Sequence, residues 1–185
     1  MDKKEHFVKS GLRYDTVGLW MVEENGKEHC MMYNHEKPYI EKGVVEICNK
    51  IKPRSVIEVG WGLGFTAKKF QELGVKRHVI IEANRQLYET AKAWAKGKLG
   101  VKVIFGFWQD LELKEKFDLL YFDTYEIANP VINVVELLEK KFNYEWYACA
   151  YQDIGLGELN QGKGFEFEVT MKCFQPLIKV EREEK

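Results

Sequence analysis

The chain has 185 residues, of which 45% are hydrophobic and 31% charged, and its formal net charge is -1. This length suits one domain with a packed core, so we predict a single domain over residues 1–185. The near-zero charge gives no electrostatic reason to expect nucleic acid or an anionic membrane as a partner. Composition therefore favours a small-molecule partner and leaves the oligomeric state open.

Neither a metal site nor a targeting segment is indicated. The four cysteines, Cys30, Cys48, Cys149 and Cys173, form no CxxC pair and have no histidine at metal-ligand spacing. Residues 1–10 contain no apolar signal region, and no run of about 18 apolar residues occurs. We expect reduced thiols, no metal and a cytoplasmic location.

Residues 55–151 alternate short apolar runs with helical patterns, as in β-α-β units around a parallel sheet. The predicted strands cover residues 55–59, 78–82, 101–105, 117–122 and 145–151, and their β-branched and aromatic character suits burial on both faces. Four helices are predicted. The first begins at Pro38, and the second spans residues 65–73 and ends before Gly74. The third contains Leu87, Tyr88, Ala91, Trp94 and Ala95 at helical spacing, and the fourth begins near Pro130, with Val131, Val134, Val135 and Leu138 on its inner face. The predicted fold is a doubly wound, Rossmann-like α/β domain.

The C-terminal part is predicted to add an antiparallel strand near the sheet edge. Residues 152–164 contain four glycines, which is typical of a loop, whereas residues 165–173 alternate apolar and polar side chains as a half-exposed strand does. Residues 177–180, after Pro176, are predicted to form a further short strand. The charged tail 181–185 is expected to be frayed.

The strongest motif is Glu58-Val-Gly60-Trp-Gly62-Leu-Gly64, at the junction of the first predicted strand and the next helix. Glycines there let the backbone turn tightly and approach a ligand at the helix N-terminus. A dinucleotide loop has the spacing GxGxxG, but here the third glycine comes one residue early and an acid precedes the first, which favours S-adenosylmethionine (SAM). Glu82 ends the second strand, 22 residues after Gly60, where an acid binds ribose hydroxyls. The alternative is a plain tight turn with solvated acids.

Five segments carry a further pattern. They are Met32-Tyr-Asn-His-Glu-Lys-Pro-Tyr-Ile40, Ile57-Glu-Val-Gly-Trp-Gly62, Ile80-Ile-Glu-Ala-Asn84, Gly106-Phe-Trp-Gln-Asp110 and Leu120-Tyr-Phe-Asp-Thr-Tyr125. Their order and spacing resemble those of guanidinoacetate N-methyltransferase and its relative, the fungal arginine δ-N-methyltransferase. The likeness extends from about Met31 to Leu159; Asn34, His35 and Ile40 depart from it, and the stretch after Leu159 is much shorter.

The resemblance implies a class I SAM-dependent N-methyltransferase that acts on a small guanidino or cationic amine acceptor. It implies that Glu36 and Asp123 hold and deprotonate the guanidino group. It places cofactor contacts at Met32, Ile40, Trp61, Gly62, Leu63, Gly64, Phe65, Glu82, Ala83, Asn84, Phe107 and Trp108, in addition to Glu58 and Gly60 of the glycine motif. Trp108 would be part of an adenine-stacking wall, although a core position suits it as well.

The chemistry of a guanidinium explains why two acids would be needed. A guanidinium is a poor nucleophile until it loses a proton, and carboxylates grip its planar N–H fork bidentately. Asp123 is expected at the carboxyl end of the fourth strand, and Glu36 in an N-terminal segment, residues 1–37, that folds over the cleft as a lid. The plainer alternatives are a turn residue for Asp123 and a solvated charge for Glu36.

Other functions stay open on the sequence. The acceptor is not fixed by the fold, so a methyltransferase for another small molecule is one alternative. A SAM-binding partner protein without activity is another. A DNA amino-methyltransferase is disfavoured, because Asp123-Thr-Tyr-Glu126 lacks a proline-aromatic motif and the chain has no basic stripe.

Overall fold

The computed structural model describes residues 7–8, 10–124, 137–149 and 177–179. The strands are β1 (Gly11–Tyr14), β2 (Gly18–Val22), β3 (Glu28–Tyr33), β4 (Ser55–Val59), β5 (Arg77–Glu82), β6 (Val101–Phe105), β7 (Leu113–Phe122), β8 (Phe142–Cys149) and β9 (Leu177–Lys179). The helices are α1 (Lys37–Ile51), α2 (Phe65–Glu72) and α3 (Arg85–Ala95), with short 3-10 helices at Asn34–Glu36 and Trp108–Asp110. Residues 137–141 are also helical.

The larger sheet has the strand order β6-β5-β4-β7-β8-β9. Strands β4 to β8 run parallel, and β9 pairs antiparallel with β8. The predicted mostly parallel sheet is therefore confirmed, and the short strand predicted over residues 177–180 provides its antiparallel edge strand. The strand predicted over residues 165–173, the loop before it, the tail and the start of the helix near Pro130 lie outside the described residues.

Strands β7 and β8 begin earlier than predicted, at Leu113 and Phe142 instead of residues 117 and 145. Leu113 pairs with Phe142, and the ladder continues from there to Phe122 and Cys149. The apolar run of β7 marks only the part of that strand that lies in the core. In β7 the added residues Lys114 to Lys116 are exposed, whereas in β8 the added residues Phe142 and Tyr144 are buried in the core.

Helices cover both faces of this sheet, as predicted for a doubly wound fold. On one face, α1, α2 and α3 contribute Val44, Phe70 and Leu87 to the core. On the other face, Leu138 of the helical residues 137–141 packs among Ile57 and other buried strand residues. None of the helices in the described ranges is long and apolar enough to cross a membrane.

The N-terminal segment contains a three-stranded antiparallel sheet, β1-β2-β3, that the sequence analysis did not predict. β2 contains the apolar run Leu19-Trp-Met-Val22 and β3 contains Cys30-Met-Met-Tyr33, so two of its strands do have runs of strand length. The β2–β3 hairpin also contains Asn25-Gly26, a pair typical of hairpin turns. Gly26 adopts φ 81°, and its amide donates to the carbonyl of Glu23 at 2.9 Å.

The site lies at the point where the chain order reverses in the larger sheet, between β4 and β7. In open α/β sheets ligands bind outside the carboxyl ends of the strands at such a switch point. Backbone bonds tie these ends together: the amide of Gly60 donates to the carbonyl of Ile81, and that of Asp123 to the carbonyl of Val59, both at 2.9 Å. The glycine motif and Asp123 are thus neighbours.

Candidate active site

The glycine loop passes close to the backbone that follows β7. Gly60 has φ 95°, a left-handed conformation that favours glycine. A Cβ at this position would lie 1.8 Å from the carbonyl oxygen of Asp123. Glycine is therefore required at residue 60, because no side chain fits between the loop and Asp123.

Met32, at the end of β3, lies on the second glycine of the loop. Its Sδ accepts a hydrogen bond from the amide of Leu63 at 3.3 Å, and a Cβ on Gly62 would approach Sδ and Cε to 3.0 Å. The small sheet is therefore in direct contact with the predicted cofactor loop. This contact places the N-terminal segment against the cleft.

Glu82 ends β5 and fixes the backbone on both sides of the cleft. One carboxyl oxygen accepts from the amide of Trp61 at 2.8 Å, and the other accepts from the amide of Asn84 at 2.7 Å. Burial raises the pKa of this carboxyl above its usual range. The backbone of Ala83 also hydrogen bonds to this carboxyl. A carboxylate accepts about four hydrogen bonds, so Glu82 keeps capacity for a hydroxyl donor such as that of a ribose.

Asn84 connects the end of β5 to the N-terminus of the chain. Its side-chain oxygen caps α3 by accepting from the amides of Gln86 and Leu87, and its Nδ2 donates to the carbonyl of Phe7 at 3.1 Å. The Phe7 ring lies 6.2 Å from that of Phe107, a predicted cofactor contact. The sequence analysis missed Phe7, because nothing in its local pattern indicates this distant contact.

Several predicted cofactor contacts also have structural partners. Trp61 is buried beside Trp94, with ring centroids 5.1 Å apart, and Ile40 belongs to the same apolar cluster. Trp108 packs edge-to-face on Phe122 at 5.6 Å. The remaining predicted contacts, Leu63, Gly64, Phe65 and Ala83, lie in the glycine loop, at the start of α2 and directly after β5.

Asp123 directly follows β7 and is partly buried beside two other acids. Burial, together with the nearby acids Glu58 and Glu82, raises the pKa of its carboxyl to about 7. A carboxyl with a pKa near neutrality exchanges a proton easily at physiological pH, which is the property required of a general base.

Glu36 approaches from the other side, at the end of the 3-10 helix that follows β3. Burial raises the pKa of its carboxyl to about 7, with a further contribution from the negative charge of Asp123, while a hydrogen bond with the Tyr33 backbone acts in the opposite direction. The structure therefore brings together the two acids that the sequence analysis singled out as catalytic.

Glu58 is placed differently from the other predicted cofactor residues. Its side chain is only 1% exposed and is hydrogen bonded to His78 at 2.9 Å, on the face of the sheet that α2 covers. His78 was not predicted as a partner of Glu58. Its position in an otherwise apolar strand could have indicated this role, because a buried polar side chain needs a hydrogen-bond partner.

Acidic side chains thus surround the edge of the sheet at which the glycine loop turns. Glu36, Glu82 and Asp123 are each buried enough to have a raised pKa. Burial is the main cause of each rise, and no cation in the described part of the chain acts on these carboxyls to lower the pKa, as an adjacent positive charge would. The arrangement suits positively charged ligands.

A family model described as guanidinoacetate N-methyltransferase matches residues 4–143. The protein arginine N-methyltransferase 2 of Gibberella zeae is 30% identical over 138 residues, a match that covers 65% of this chain and 30% of that protein. The chain thus spans less than a third of the length of this curated relative.

Solved methyltransferase structures are also similar. The SAH-bound methyltransferase PaMTH1 of Podospora anserina is 20% identical, with a TM-score of 0.48 over 59% of this chain and 50% of that one. The SAM-bound amino pentose methyltransferase CalS10 of Micromonospora echinaspora is 14% identical, with a TM-score of 0.49 over 66% of this chain and 58% of that one.

Proposed function

Because the chain belongs to the guanidinoacetate N-methyltransferase family, we propose that it transfers a methyl group from SAM to a small guanidino or cationic amine acceptor. The family match supports the prediction of a SAM-dependent methyltransferase. The acceptor class is our proposal. The observation that supports it most strongly is the proximity of Glu36 and Asp123, which follow strands of two different sheets and interact electrostatically.

The residues at the carboxyl ends of β4 and β5 fit the cofactor. When bound, SAM supplies an electrophilic methyl group on a sulfonium. Glu82 keeps acceptor capacity for a ribose hydroxyl, and the backbone of Gly60 to Gly64 has no side chains at its three glycines to block close approach. The first turn of α2 adds amides directed to the same edge, and Phe107 adds an aromatic side chain.

In our proposal the two acids grip the acceptor. A guanidinium presents a planar fork of N–H donors, and a carboxylate binds this fork through two parallel hydrogen bonds. Two acids on opposite sides hold two edges of the plane and so fix the orientation of the nitrogen that faces the methyl group. The cation also favours the ionised form of both acids, so each carboxyl loses its proton as the acceptor binds.

Asp123 is the proposed base. It follows a central strand, and its amide is hydrogen bonded to Val59, so its backbone is fixed. Its carboxylate takes a proton from the guanidinium, which leaves a nucleophilic nitrogen lone pair. Glu36 lies in the N-terminal segment, and its proposed role is to bind the acceptor and close the cleft.

The experiment is a screen of acceptors for release of S-adenosylhomocysteine (SAH) by the purified protein. Guanidinoacetate, free arginine, an arginine-containing peptide and simple alkylamines represent the candidate classes. Citrulline is the matched control for arginine, because its ureido group has a similar shape and no charge. We expect turnover with at least one guanidino compound and none with citrulline.

Two results would argue against the proposal. Turnover confined to uncharged acceptors would show a methyltransferase for another kind of small molecule. SAM binding without turnover on any acceptor would favour the non-catalytic partner protein. The second result leaves cofactor binding intact, so it separates the acceptor proposal from the family assignment.

A further inference from the structure

Glu58 and His78 form a buried pair that the proposed methyl transfer does not use. Glu58 lies in β4 and His78 in the adjacent β5, and their side chains are 1% and 0% exposed. The His78 Nε2 and the Glu58 Oε2 are 2.9 Å apart. Two polar side chains in the interior of a sheet are costly unless they satisfy each other, so the pair requires an explanation.

Both members also contact α2, the helix that begins directly after the glycine loop. The Glu58 carboxyl is hydrogen bonded by the backbone amide of Ala67, in the first turn of α2. His78 Nδ1 lies 3.4 Å from Nε2 of Gln71, and the His78 ring packs edge-to-face on Phe70 at 5.7 Å. The pair therefore joins two strands of the sheet to both ends of α2.

The first turn of a helix has amides without intrahelical partners. Gly64, the N-cap residue of α2, provides no side-chain cap. The Ala67 amide finds its partner in Glu58 instead. Since Gly64 ends the glycine loop, any shift of the first turn of α2 moves the loop that approaches the cofactor.

We propose that Glu58 and His78 form an uncharged, hydrogen-bonded pair that positions the first turn of α2 and thereby the glycine loop for cofactor binding. Glu58 is thus a positioning residue, which acts on the cofactor through the backbone. This inference depends on SAM binding alone and not on the identity of the acceptor.

The surroundings of the pair favour its neutral form. Tyr121 of β7, Asp123 and Glu82 face Glu58, and none of them carries a positive charge that would stabilise an ionised carboxylate. Burial raises the pKa of Glu58 well above its usual range and lowers the pKa of His78 to about 3. A neutral carboxyl beside a neutral imidazole avoids placing two charges in the apolar interior.

The test compares an isosteric polar variant with apolar ones. In Glu58→Gln, the amide retains a donor and an acceptor for His78 and Ala67, so SAH affinity by calorimetry should stay within about threefold of wild type. Glu58→Leu and His78→Leu should each weaken SAH binding about tenfold or more. Because the two residues act as one unit, the double Leu variant should bind no more weakly than the weaker single variant.

Histidine NMR measures the charge state of the His78 ring, which the affinities do not report. In the wild-type protein, the ring nitrogens of His78 should show a neutral imidazole between pH 5 and 8. This spectrum and the Glu58→Gln affinity remain informative even where the Leu variants fail to fold.

Three results would overturn the proposal. An imidazolium signal from His78 in this range would show a charged pair. A Glu58→Gln variant that binds SAH as weakly as Glu58→Leu would show that the charge of Glu58 matters. Unchanged SAH affinity in folded Leu variants would show that the pair does not position the loop.

Discussion

Glu36 and Asp123 lie close enough to interact electrostatically, although they follow strands of two different sheets. Glu36 follows β3 of the small N-terminal sheet, and Asp123 follows β7 of the large sheet, yet the negative charge of Asp123 contributes to the raised pKa of Glu36. Like charges held close together without a cation are unfavourable. Repulsion between the two ionised carboxyls therefore lowers the free energy of unfolding, and a cationic ligand bound beside them would reduce this repulsion.

The first prediction concerns stability and pH. The pKa of Asp123 is about 7 in the folded protein and near 3.8 in the unfolded chain, so the folded state holds the proton more tightly. Between these values the folded protein binds more protons, and its free energy of unfolding falls as pH rises from about 4 to about 7. Asp123→Asn removes this ionisation and should stabilise the unliganded protein at pH 8 by roughly 1–3 kcal/mol.

Chemical denaturation at pH 5 and pH 8 measures this effect. Glu115→Gln, which removes an exposed carboxyl from the same strand, is the matched control and should change stability little at either pH. An Asp123→Asn variant that is less stable than wild type at pH 8 would contradict the argument.

A second prediction concerns the ribose site. Glu82→Ala should weaken SAH binding by about 1–3 kcal/mol, because hydrogen bonds to a buried acid are lost. Glu89→Ala removes an exposed acid from the nearby α3 and should leave binding unchanged. Calorimetry with SAH and with NAD measures both affinities; equal SAH affinity in the two variants, or tight NAD binding to the wild type, would rule out the predicted cofactor site.

A third prediction compares two glycines that both have φ near +90°. Gly74→Ala meets no atom within 4 Å, so its cost is the left-handed conformation alone, roughly 1–2 kcal/mol. Gly60→Ala must also displace the Asp123 carbonyl, and its total cost should be roughly 2–5 kcal/mol. Denaturant titration gives both values, and SAH affinity should fall in the Gly60 variant only. An equal loss of unfolding free energy in the two variants would show that the contact between residue 60 and Asp123 is not tight.

The parallel sheet was predictable from the sequence, because buried strands leave long apolar runs and the glycine motif marks the end of one of them. The small sheet was not predicted, although β2 and β3 have apolar runs on either side of Asn25-Gly26, because these strands lie outside the region in which strands and helices alternate. Glu36 and Asp123 could be named from the resemblance, but their proximity depends on how the two sheets pack. The pairing of Glu58 with His78 depends on strand register, which an apolar run does not determine.

A fourth prediction concerns acceptor binding and pH. Since Glu36 and Asp123 both have a pKa of about 7, a guanidinium must displace protons below that pH. Affinity for a guanidino acceptor, measured with SAH present, should increase from pH 6 to pH 8, by at most about tenfold per pH unit for each proton released. Calorimetry in two buffers of different ionisation enthalpy counts the protons, and Glu36→Gln should release fewer. An acceptor affinity that does not change between pH 6 and pH 8 would mean that these acids do not face the acceptor.

The most direct test of the central claim is the rate of methyl transfer to a guanidino acceptor by the Asp123→Asn variant. The asparagine cannot accept the acceptor's proton, so turnover should fall roughly 10²-fold or more while SAH affinity stays nearly intact. Glu36→Gln should mainly raise KM, and Glu46→Gln, on the exposed side of α1, should match the wild type. Wild-type turnover in Asp123→Asn would contradict the guanidino mechanism and leave only the cofactor assignment.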